Sequence, residues 1–233
     1  MTHPLDRPVW NALHSRQAHL AIGSGRAVGY QRPYAMFIAG ADQSEASLAA
    51  MATLVPAEAQ AGLVERKRWP LPPGTRAVAD AAIVQMVAQD GITGSGAGFP
   101  LLELNEADEP DALRLATLCR PGPFFERTSA LGGFIGVRDS AGRLVAMAGE
   151  RMKVGEFTEV SAVCTHPDHR GRGLARGLIS VVAGRIVERG ETPWLHSYPD
   201  NAGAIALYES LGFRRRAEVN YTIIEREHQS RLG

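Results

Sequence analysis

The segment from Val163 to Ala175, VCTHPDHRGRGLA, is predicted to run from a strand through a glycine-rich turn into a helix. A helix N-terminus leaves its first backbone N–H groups without intrahelical partners and carries a partial positive charge. A turn containing Gly171 and Gly173 can therefore wrap those donors around a phosphate. Arg170 and Arg172 add positive charge beside the turn. The segment predicts a local site for a phosphate or pyrophosphate.

Other phosphate-binding loops fit this segment poorly. A Walker A loop needs G-x-x-x-x-G-K-[ST], which is absent from the chain. A Rossmann loop needs G-x-G-x-x-G early in a βαβ unit, whereas Gly171-x-Gly173 is followed by Arg176-Gly177 late in the chain. ATP and NAD are therefore poor candidates. Taken alone, the segment also fits a helix that is capped by glycines and flanked by two solvated arginines.

Two blocks of sequence resemble the GNAT superfamily of acyl-CoA N-acyltransferases. Residues 170–175, RGRGLA, fit its Q/R-x-x-G-x-G/A signature and follow the usual strand ending in His166-Pro167. Residues 200–213, DNAGAIALYESLGF, are similar to its N…A…LYE-x-x-GF segment. The resemblance covers about residues 100–226 and is closest to the branch that contains glycine N-acyltransferase. It implies a GNAT fold with a mixed sheet, acetyl-CoA as the acyl donor, and no metal.

The resemblance also implies how the donor would bind. The pantetheine arm should form strand-like hydrogen bonds with the backbone of Val163 and Thr165. Val163 can also be a core strand residue, since the contact is made by its backbone. The pyrophosphate should meet the amides of residues 170–175, with Arg176 as a further contact. The implied coenzyme-binding residues are Val163, Cys164, Thr165, Arg170, Gly171, Arg172, Gly173, Leu174, Ala175, Arg176 and Asn201.

Asn201 and Tyr208 lie on the second block. Asn201 stands where a helix should begin, and asparagine is a good N-cap, so capping and coenzyme contact are both open. Tyr208 follows two helical turns later on the same face as Ala204 and Leu211, which also fits a core tyrosine. The family places a tyrosine here beside the coenzyme sulfur, where its hydroxyl can donate to the leaving thiolate. The resemblance therefore implies that Tyr208 is catalytic.

The acceptor amine must lose a proton before it attacks. An amine with a pKa of ~10.4 is neutral in only about one molecule in a thousand at pH 7, and recovering that fraction is worth roughly 4 kcal/mol. Glu159 is the predicted base, because alternation puts it on the same strand face as Val163 and Thr165 and some superfamily members carry a glutamate at a comparable offset. It could equally be a solvated strand carboxylate. The substitutes are Glu150, Glu156 and His196.

Composition limits the other classes of function. The 233 residues include 25 Lys+Arg and 25 Asp+Glu, so no overall field attracts nucleic acid or an anionic membrane. Cys119 and Cys164 form no C-x-x-C motif, which suggests neither a disulfide framework nor a zinc site. Cys164 should face away from Val163, and no motif indicates a covalent nucleophile, so direct attack in a ternary complex is expected. A polar N-terminal segment and the lack of a membrane-span-length apolar stretch predict a soluble cytoplasmic protein.

Periodicity and turn residues predict the elements around this site as a mixed α/β domain. Its predicted strands are Leu101–Leu104, Gly133–Val137, Leu144–Val154, Thr158–Thr165, Trp194–Tyr198 and Glu218–Ile224. Its predicted helices are Asp108–Cys119, Leu174–Arg189 and Asn201–Leu211. Nearer the N-terminus, Tyr34–Ala39 is predicted as a strand and Ser44–Leu54 as a helix, whereas Ala79–Ala88 fits either.

Glycine-rich residues 91–99 are predicted to link an N-terminal α/β region, residues 1–90, to the acyltransferase domain, residues 100–233. The N-terminal region has a similar order of elements without a phosphate loop, which suggests a degenerate second lobe that shapes the acceptor site or a homodimer contact. The acceptor is expected to be an amine of a small molecule, amino acid or peptide, and Cys119–Leu131 is the predicted wall of its pocket. The alternative is a non-catalytic acyl-CoA-binding or interaction module.

Overall fold

The computed structural model describes residues 2–89, Ile92 and 97–227. Most of the predicted linker, residues 91–99, lies outside these ranges. The chain divides into two compact units: Met1–Gln31, Met36–Ile83 and Glu218–Gly233 form the first, and Arg32–Ala35 and Val84–Ala217 form the second. The division does not follow chain order, since residues from Glu218 onward group with the N-terminal residues and not with the residues that precede them.

The elements are numbered in chain order. The strands are β1 Ala21–Ser24, β2 Ala27–Tyr30, β3 Ile38–Gly40, β4 Ala61–Glu65, β5 Thr75–Ala88, β6 Leu102–Glu103, β7 Ile135–Arg138, β8 Leu144–Val154, β9 Phe157–Thr165, β10 Thr192–Ser197 and β11 Phe213–Arg226. The α-helices are α1 Pro8–Leu13, α2 Glu45–Leu54, α3 Glu109–Cys119, α4 Leu174–Glu188 and α5 Ala202–Ser210. Short 3-10 helices occupy Pro4–Asp6, Ala18–Leu20, Glu106–Asp108, Thr128–Leu131 and Pro167–His169.

The first unit contains an antiparallel sheet of order β1-β2-β3. Its strand β4 pairs antiparallel with residues 220–224 of β11, which explains why the C-terminal residues belong to this unit. Helix α2 begins after Ser44, whose hydroxyl accepts a hydrogen bond from the Ser47 N–H, as predicted for this helix. Met51 on α2 and Leu63 on β4 are among the residues of its apolar core.

The second unit is built on strands in the order β5-β10-β9-β8-β7-β6. Strands β9 and β10 are parallel, whereas the other neighbouring pairs are antiparallel. Successive side chains of a strand point to opposite faces. One apolar cluster packs α4 and α5 against the sheet, and a second cluster packs α3 against it. The predicted mixed α/β fold is confirmed.

Several elements differ from their predicted form for a physical reason. The ambiguous segment Ala79–Ala88 is part of β5, since its final residues pair with β10. The predicted strand Tyr34–Ala39 is reduced to Ile38–Gly40, with a single bridge from Phe37 to Gly62. Strand β11 begins earlier than predicted. The prediction left out its first residues because most of them are charged, which is typical of a loop when the local sequence is considered alone. Among the described residues, no helix is both long enough and apolar enough to cross a membrane.

Candidate active site

Strands β9 and β10 are paired over only three residues each and then separate. Their parallel pairing ends at Glu159 and Trp194. Beyond that point β9 continues beside β8, and β10 continues beside β5. Strand β9 also contains a bulge, seen as a shift in its register with β8 and as a left-handed φ of 53° at Ala162. The separation and the bulge together leave one edge of β9 without a parallel partner strand.

A cleft of about 490 Å³ opens beside this part of β9. Its walls are the end of α3, the last residues of β9, the loop that enters α4, and one face of α5. The lining residues are Cys119, Arg120, Pro121, Val163, Cys164, Thr165, His169, Arg170, Gly171, Gly173, Leu174, Ala175, Arg176, Asn201, Ala204, Leu207 and Tyr208. Ten of the eleven predicted coenzyme-binding residues are in this set, and Arg172 is the exception.

The loop before α4 forms one wall of the cleft. Gly171 and Gly173 have left-handed φ values of 75° and 74°, and a Cβ built on either would meet nothing within 4 Å. These glycines are therefore required by conformation and not by crowding. Gly173 is the N-cap of α4, and no side chain among the described residues caps the helix. Its first N–H groups remain available to an anion.

Two predicted arginines already have contacts in this arrangement. Arg170 Nε donates to the Thr165 carbonyl at 3.4 Å, and Arg176 Nη2 donates to Ser210 Oγ at 2.8 Å. Both side chains lie at the cleft. Arg120 lies there as well, with a left-handed φ of 51° where α3 ends. Arg120 belongs to the segment Cys119–Leu131 that the sequence predicts as a pocket wall, and the packing of α3 brings it to the cleft.

Helix α5 supplies Asn201 and Tyr208. Asn201 Oδ1 accepts a hydrogen bond from the Ala204 N–H at 3.3 Å, so this side chain caps the helix and also lines the cleft. Tyr208 is half-buried, and its ring lies edge-on to Phe213 at 6.2 Å between centroids. Burial raises the pKa of the Tyr208 hydroxyl above its ordinary value of 10.0. The hydroxyl therefore stays protonated at neutral pH and can donate a hydrogen bond.

Glu159 is buried away from the cleft surface. Its two carboxylate oxygens accept from Arg151 Nε at 2.8 Å and Arg151 Nη2 at 2.7 Å, and His196 Nδ1 lies 2.9 Å from Oε1. Burial alone would raise the pKa of Glu159, but the charge and hydrogen bonds of Arg151, together with His196, lower it to about 2. A carboxylate held in this way is a weak proton acceptor.

The bulge in β9 also corrects the alternation argument for Glu159. Regular alternation places Glu159 on the face of Val163 and Thr165. Val160 and Val163 instead contact the same apolar cluster, although they are three residues apart, because the bulge at Ala162 reverses the alternation. The predicted placement of Glu159 on the Val163 face is therefore wrong. Cys164 lies in the opposite cluster from Val163, as predicted.

Comparison with known proteins identifies the family. A family model described as FR47-like protein matches residues 134–223. A GNAT-family protein from Novosphingobium aromaticivorans DSM 12444 is 42% identical in sequence, and the alignment covers 97% of this chain and 100% of that one with a TM-score of 0.89. The chain belongs to the GNAT family of acetyltransferases. The predicted class, an acyl-CoA-dependent acyltransferase, is confirmed at the level of the family.

A second solved structure and a curated relative are also similar to this GNAT protein. A GCN5-related N-acetyltransferase from Kribbella flavida shares the fold at 20% identity, with 94% of this chain and 97% of that one covered and a TM-score of 0.60. The [ribosomal protein bS18]-alanine N-acetyltransferase of Escherichia coli K12 is 38% identical over 73 residues, 31% of this chain and 49% of that protein. The chain thus spans about half the length of the curated relatives that it matches.

A row of polar side chains crosses five strands of this GNAT protein, one from each of β8, β9, β10, β5 and β11. His196 Nε2 lies 3.3 Å from Gln85 Nε2, and Gln85 Oε1 accepts from Arg216 Nε at 2.6 Å. Since Glu159 can only accept, His196 carries its proton on Nδ1 and accepts from Gln85 through Nε2. The row is Arg151, Glu159, His196, Gln85 and Arg216.

We expect Glu159→Gln to lower the free energy of unfolding by roughly 3 kcal/mol, because the Arg151 guanidinium would remain buried beside a neutral amide. Urea denaturation at neutral pH measures the change. The double variant Glu159→Leu/Arg151→Met removes both charges and should recover much of the lost stability. A Glu159→Gln variant as stable as the wild type would show that the buried ion pair does not form.

The pKa of Glu159 also predicts how stability changes with pH. Its folded pKa of about 2 is below the ordinary value of 4.5, so the ion pair stabilises the protein fully above about 4.5. That stabilisation is lost as the pH falls from there towards the folded pKa. Denaturation midpoints measured across this acidic window should therefore fall more steeply for the wild type than for Glu159→Gln. Equal slopes would mean that Glu159 is not the group responsible.

Proposed function

We propose that this GNAT protein transfers the acetyl group of acetyl-CoA to a primary amine of a small molecule, amino acid or peptide. One observation carries the proposal: a single cleft is lined by the uncapped start of α4, by the end of β9 and by Tyr208. These are the features needed to hold a pyrophosphate, an extended amide chain and a departing thiolate, respectively.

The residues present fit the donor. The N–H groups at Gly173 to Arg176 and the charge of Arg170 would hold the pyrophosphate. The backbone of Val163 and Thr165 would hydrogen-bond to the pantetheine amides, since β9 has no pairing with β10 beyond Glu159. Acetyl-CoA, as the donor substrate, supplies an activated thioester.

The chain's own groups would then assist direct transfer. The neutral amine nitrogen forms a bond to the acetyl carbon while the carbon–sulfur bond breaks, and the amine releases one proton. Tyr208 would donate a hydrogen bond, or its proton, to the departing thiolate. Its pKa, raised by burial, keeps the hydroxyl protonated for this role. No covalent acyl-enzyme is needed, because the amine and the thioester react in one ternary complex.

The amine proton needs a second group. The sequence predicts Glu159 as the base, and we propose that it acts through His196, holding the imidazole in one orientation and tautomer by its bond to Nδ1. His196 Nε2 takes up the amine proton when the amine displaces the Gln85 N–H from it. His196 is the more exposed of the two, with 8% of its side chain accessible against 1% for Glu159. A His196→Gln variant should lose rate and alter the dependence of kcat/KM on pH. An unchanged pH profile would remove His196 from the proton path.

The acceptor class rests on a relative. The Escherichia coli protein is a [ribosomal protein bS18]-alanine N-acetyltransferase, which supports a peptide N-terminus as one acceptor. The sequence resemblance to the branch containing glycine N-acyltransferase supports a small acceptor instead. Of the predicted acceptor wall, Cys119, Arg120 and Pro121 line the cleft. Further along, Phe124 packs against Phe134 at 5.9 Å.

The proposal is tested by calorimetry with acetyl-CoA and then by thiol release with a panel of amines. The panel should contain peptides beginning with alanine, free amino acids including glycine, and simple alkylamines. We expect binding and acceptor-dependent thiol release. Binding without release from any acceptor would favour the alternative of a non-catalytic acyl-CoA-binding module. A failure to bind acetyl-CoA would overturn the proposed function.

A further inference from the structure

The two cysteines of the chain meet at the cleft. Cys119 is the last residue of α3 and Cys164 is the second-last residue of β9. Both are free thiols that line the cleft, with Cys119 half-buried and Cys164 buried. They belong to the apolar cluster that packs α3 against the sheet, so tertiary packing brings together two thiols that are remote in sequence.

The surroundings of the two thiols differ. The Cys119 S–H donates to the Thr165 carbonyl at 3.4 Å, and the Arg170 guanidinium lies close by. A hydrogen bond from Cys164 lowers the pKa of Cys119 to about 7, with Arg170 helping and burial opposing. The pKa of the Cys164 thiol is raised by its interaction with the Cys119 thiol and by burial. The C-terminal end of the α3 dipole disfavours a thiolate at Cys119, whereas the nearby guanidinium favours one.

We propose that Cys119 and Cys164 form a thiol–disulfide modification site on the wall of this cleft, with low-molecular-weight disulfides as its co-reactants. Cys119 is the accessible sulfur that reacts first, and Cys164 is the buried sulfur that resolves the adduct. The Cys119 sulfur lies 3.4 Å from the carbonyl of Thr165, the residue that follows Cys164, so the two thiols are neighbours in one wall of the cleft. A disulfide requires their sulfurs to approach to ~2.05 Å.

The chemistry balances in two exchange steps. The Cys119 thiolate attacks one sulfur of the small disulfide, forming a mixed disulfide and releasing one small thiolate. Cys164 then loses its proton and attacks the Cys119 sulfur, which forms the Cys119–Cys164 bond and releases the second small thiolate. The two protein thiols are oxidised by two electrons, and the small disulfide is reduced to two thiols.

The position of the site links this chemistry to donor binding, a link that rests on the proposed function. The Cys119 S–H holds the carbonyl of Thr165, whose backbone is a proposed contact for pantetheine. Oxidation removes that S–H donor and ties the end of α3 to β9. Oxidised protein should therefore bind acetyl-CoA more weakly, and bound acetyl-CoA should shield Cys119 from the disulfide.

The test treats the full chain with oxidised glutathione, blocks remaining thiols by alkylation, and maps the products by mass spectrometry. We expect the wild type to lose both alkylatable thiols without retaining glutathione. Cys164→Ser should retain glutathione on Cys119, and Cys119→Ser should react roughly tenfold more slowly than the wild type. Circular dichroism confirms that each variant is folded.

Two outcomes would overturn the modification site. One is a Cys119→Ser variant that reacts as fast as the wild type, and the other is a wild type that accumulates only mixed disulfides. A parallel arm with acetyl-CoA separates this inference from the proposed function. If acetyl-CoA binds but does not slow the reaction, the thiols do not border the donor site. If acetyl-CoA does not bind while the disulfide forms, the proposed function fails and the modification site stands.

Discussion

Gly173→Glu is expected to weaken acetyl-CoA binding by roughly a hundredfold or more. A carboxylate at the N-cap of α4 would lie where the pyrophosphate is proposed to bind and would repel it. It would also compete for the first N–H groups of the helix, and each charge-assisted hydrogen bond lost costs about 1.5–3 kcal/mol. Calorimetry with acetyl-CoA at fixed ionic strength measures the loss.

The chain offers a matched control for this variant. Gly190, just beyond the C-terminal end of α4, has a φ of 76° and open space around a Cβ, as Gly173 has. Gly190→Glu therefore carries the same backbone penalty, of about 1–2 kcal/mol, without approaching the cleft. It should bind acetyl-CoA like the wild type. If Gly173→Glu did so too, the start of α4 would not be the anion site.

Tyr208→Phe is expected to reduce turnover by roughly 10²–10⁴-fold while leaving acetyl-CoA affinity nearly unchanged. The ring would keep its edge-on contact with Phe213, so packing in the cleft is retained. Only the hydroxyl that is proposed to donate to the departing thiolate is lost. Initial rates of thiol release and calorimetric affinity, measured on the same preparation, separate the two effects.

Tyr198→Phe serves as the control, because Tyr198 follows β10 and is 48% exposed. Loss of its hydroxyl should leave both rate and affinity as in the wild type. A Tyr208→Phe variant with full activity would exclude the proposed acid role. A non-catalytic acyl-CoA-binding module has no turnover to lose, so neither substitution could lower a rate of thiol release. A rate that falls in Tyr208→Phe and not in Tyr198→Phe therefore identifies an enzyme.

Taken together, the variants separate donor binding from chemistry. Gly173 lies at the start of α4 and Tyr208 lies near the end of α5, so each tests a different wall of one cleft. Loss of affinity in the first variant and loss of rate in the second would support acetyl transfer from acetyl-CoA. The acceptor panel then distinguishes a peptide N-terminus from a small amine.

Local sequence was sufficient for the loop and helix residues that line the cleft. A glycine-rich loop before a helix, an asparagine at an N-cap and a helical period are set by residues within a few positions of each other. Ten of the eleven predicted coenzyme-binding residues line the cleft for that reason. The positive φ values of Gly171 and Gly173 are similarly a property of the loop itself.

Only the tertiary structure decided the surroundings of Glu159 and of the two cysteines. The bulge at Ala162 reverses the alternation of β9, and a pattern of period two cannot reveal an inserted residue. The partners of Glu159 come from β8 and β10, so its burial and low pKa depend on strand neighbours that a local pattern does not specify. Cys119 and Cys164 likewise meet only because α3 packs on β9. Local residues determine loops and caps, whereas the ionisation and reactivity of buried groups depend on contacts between distant strands and helices.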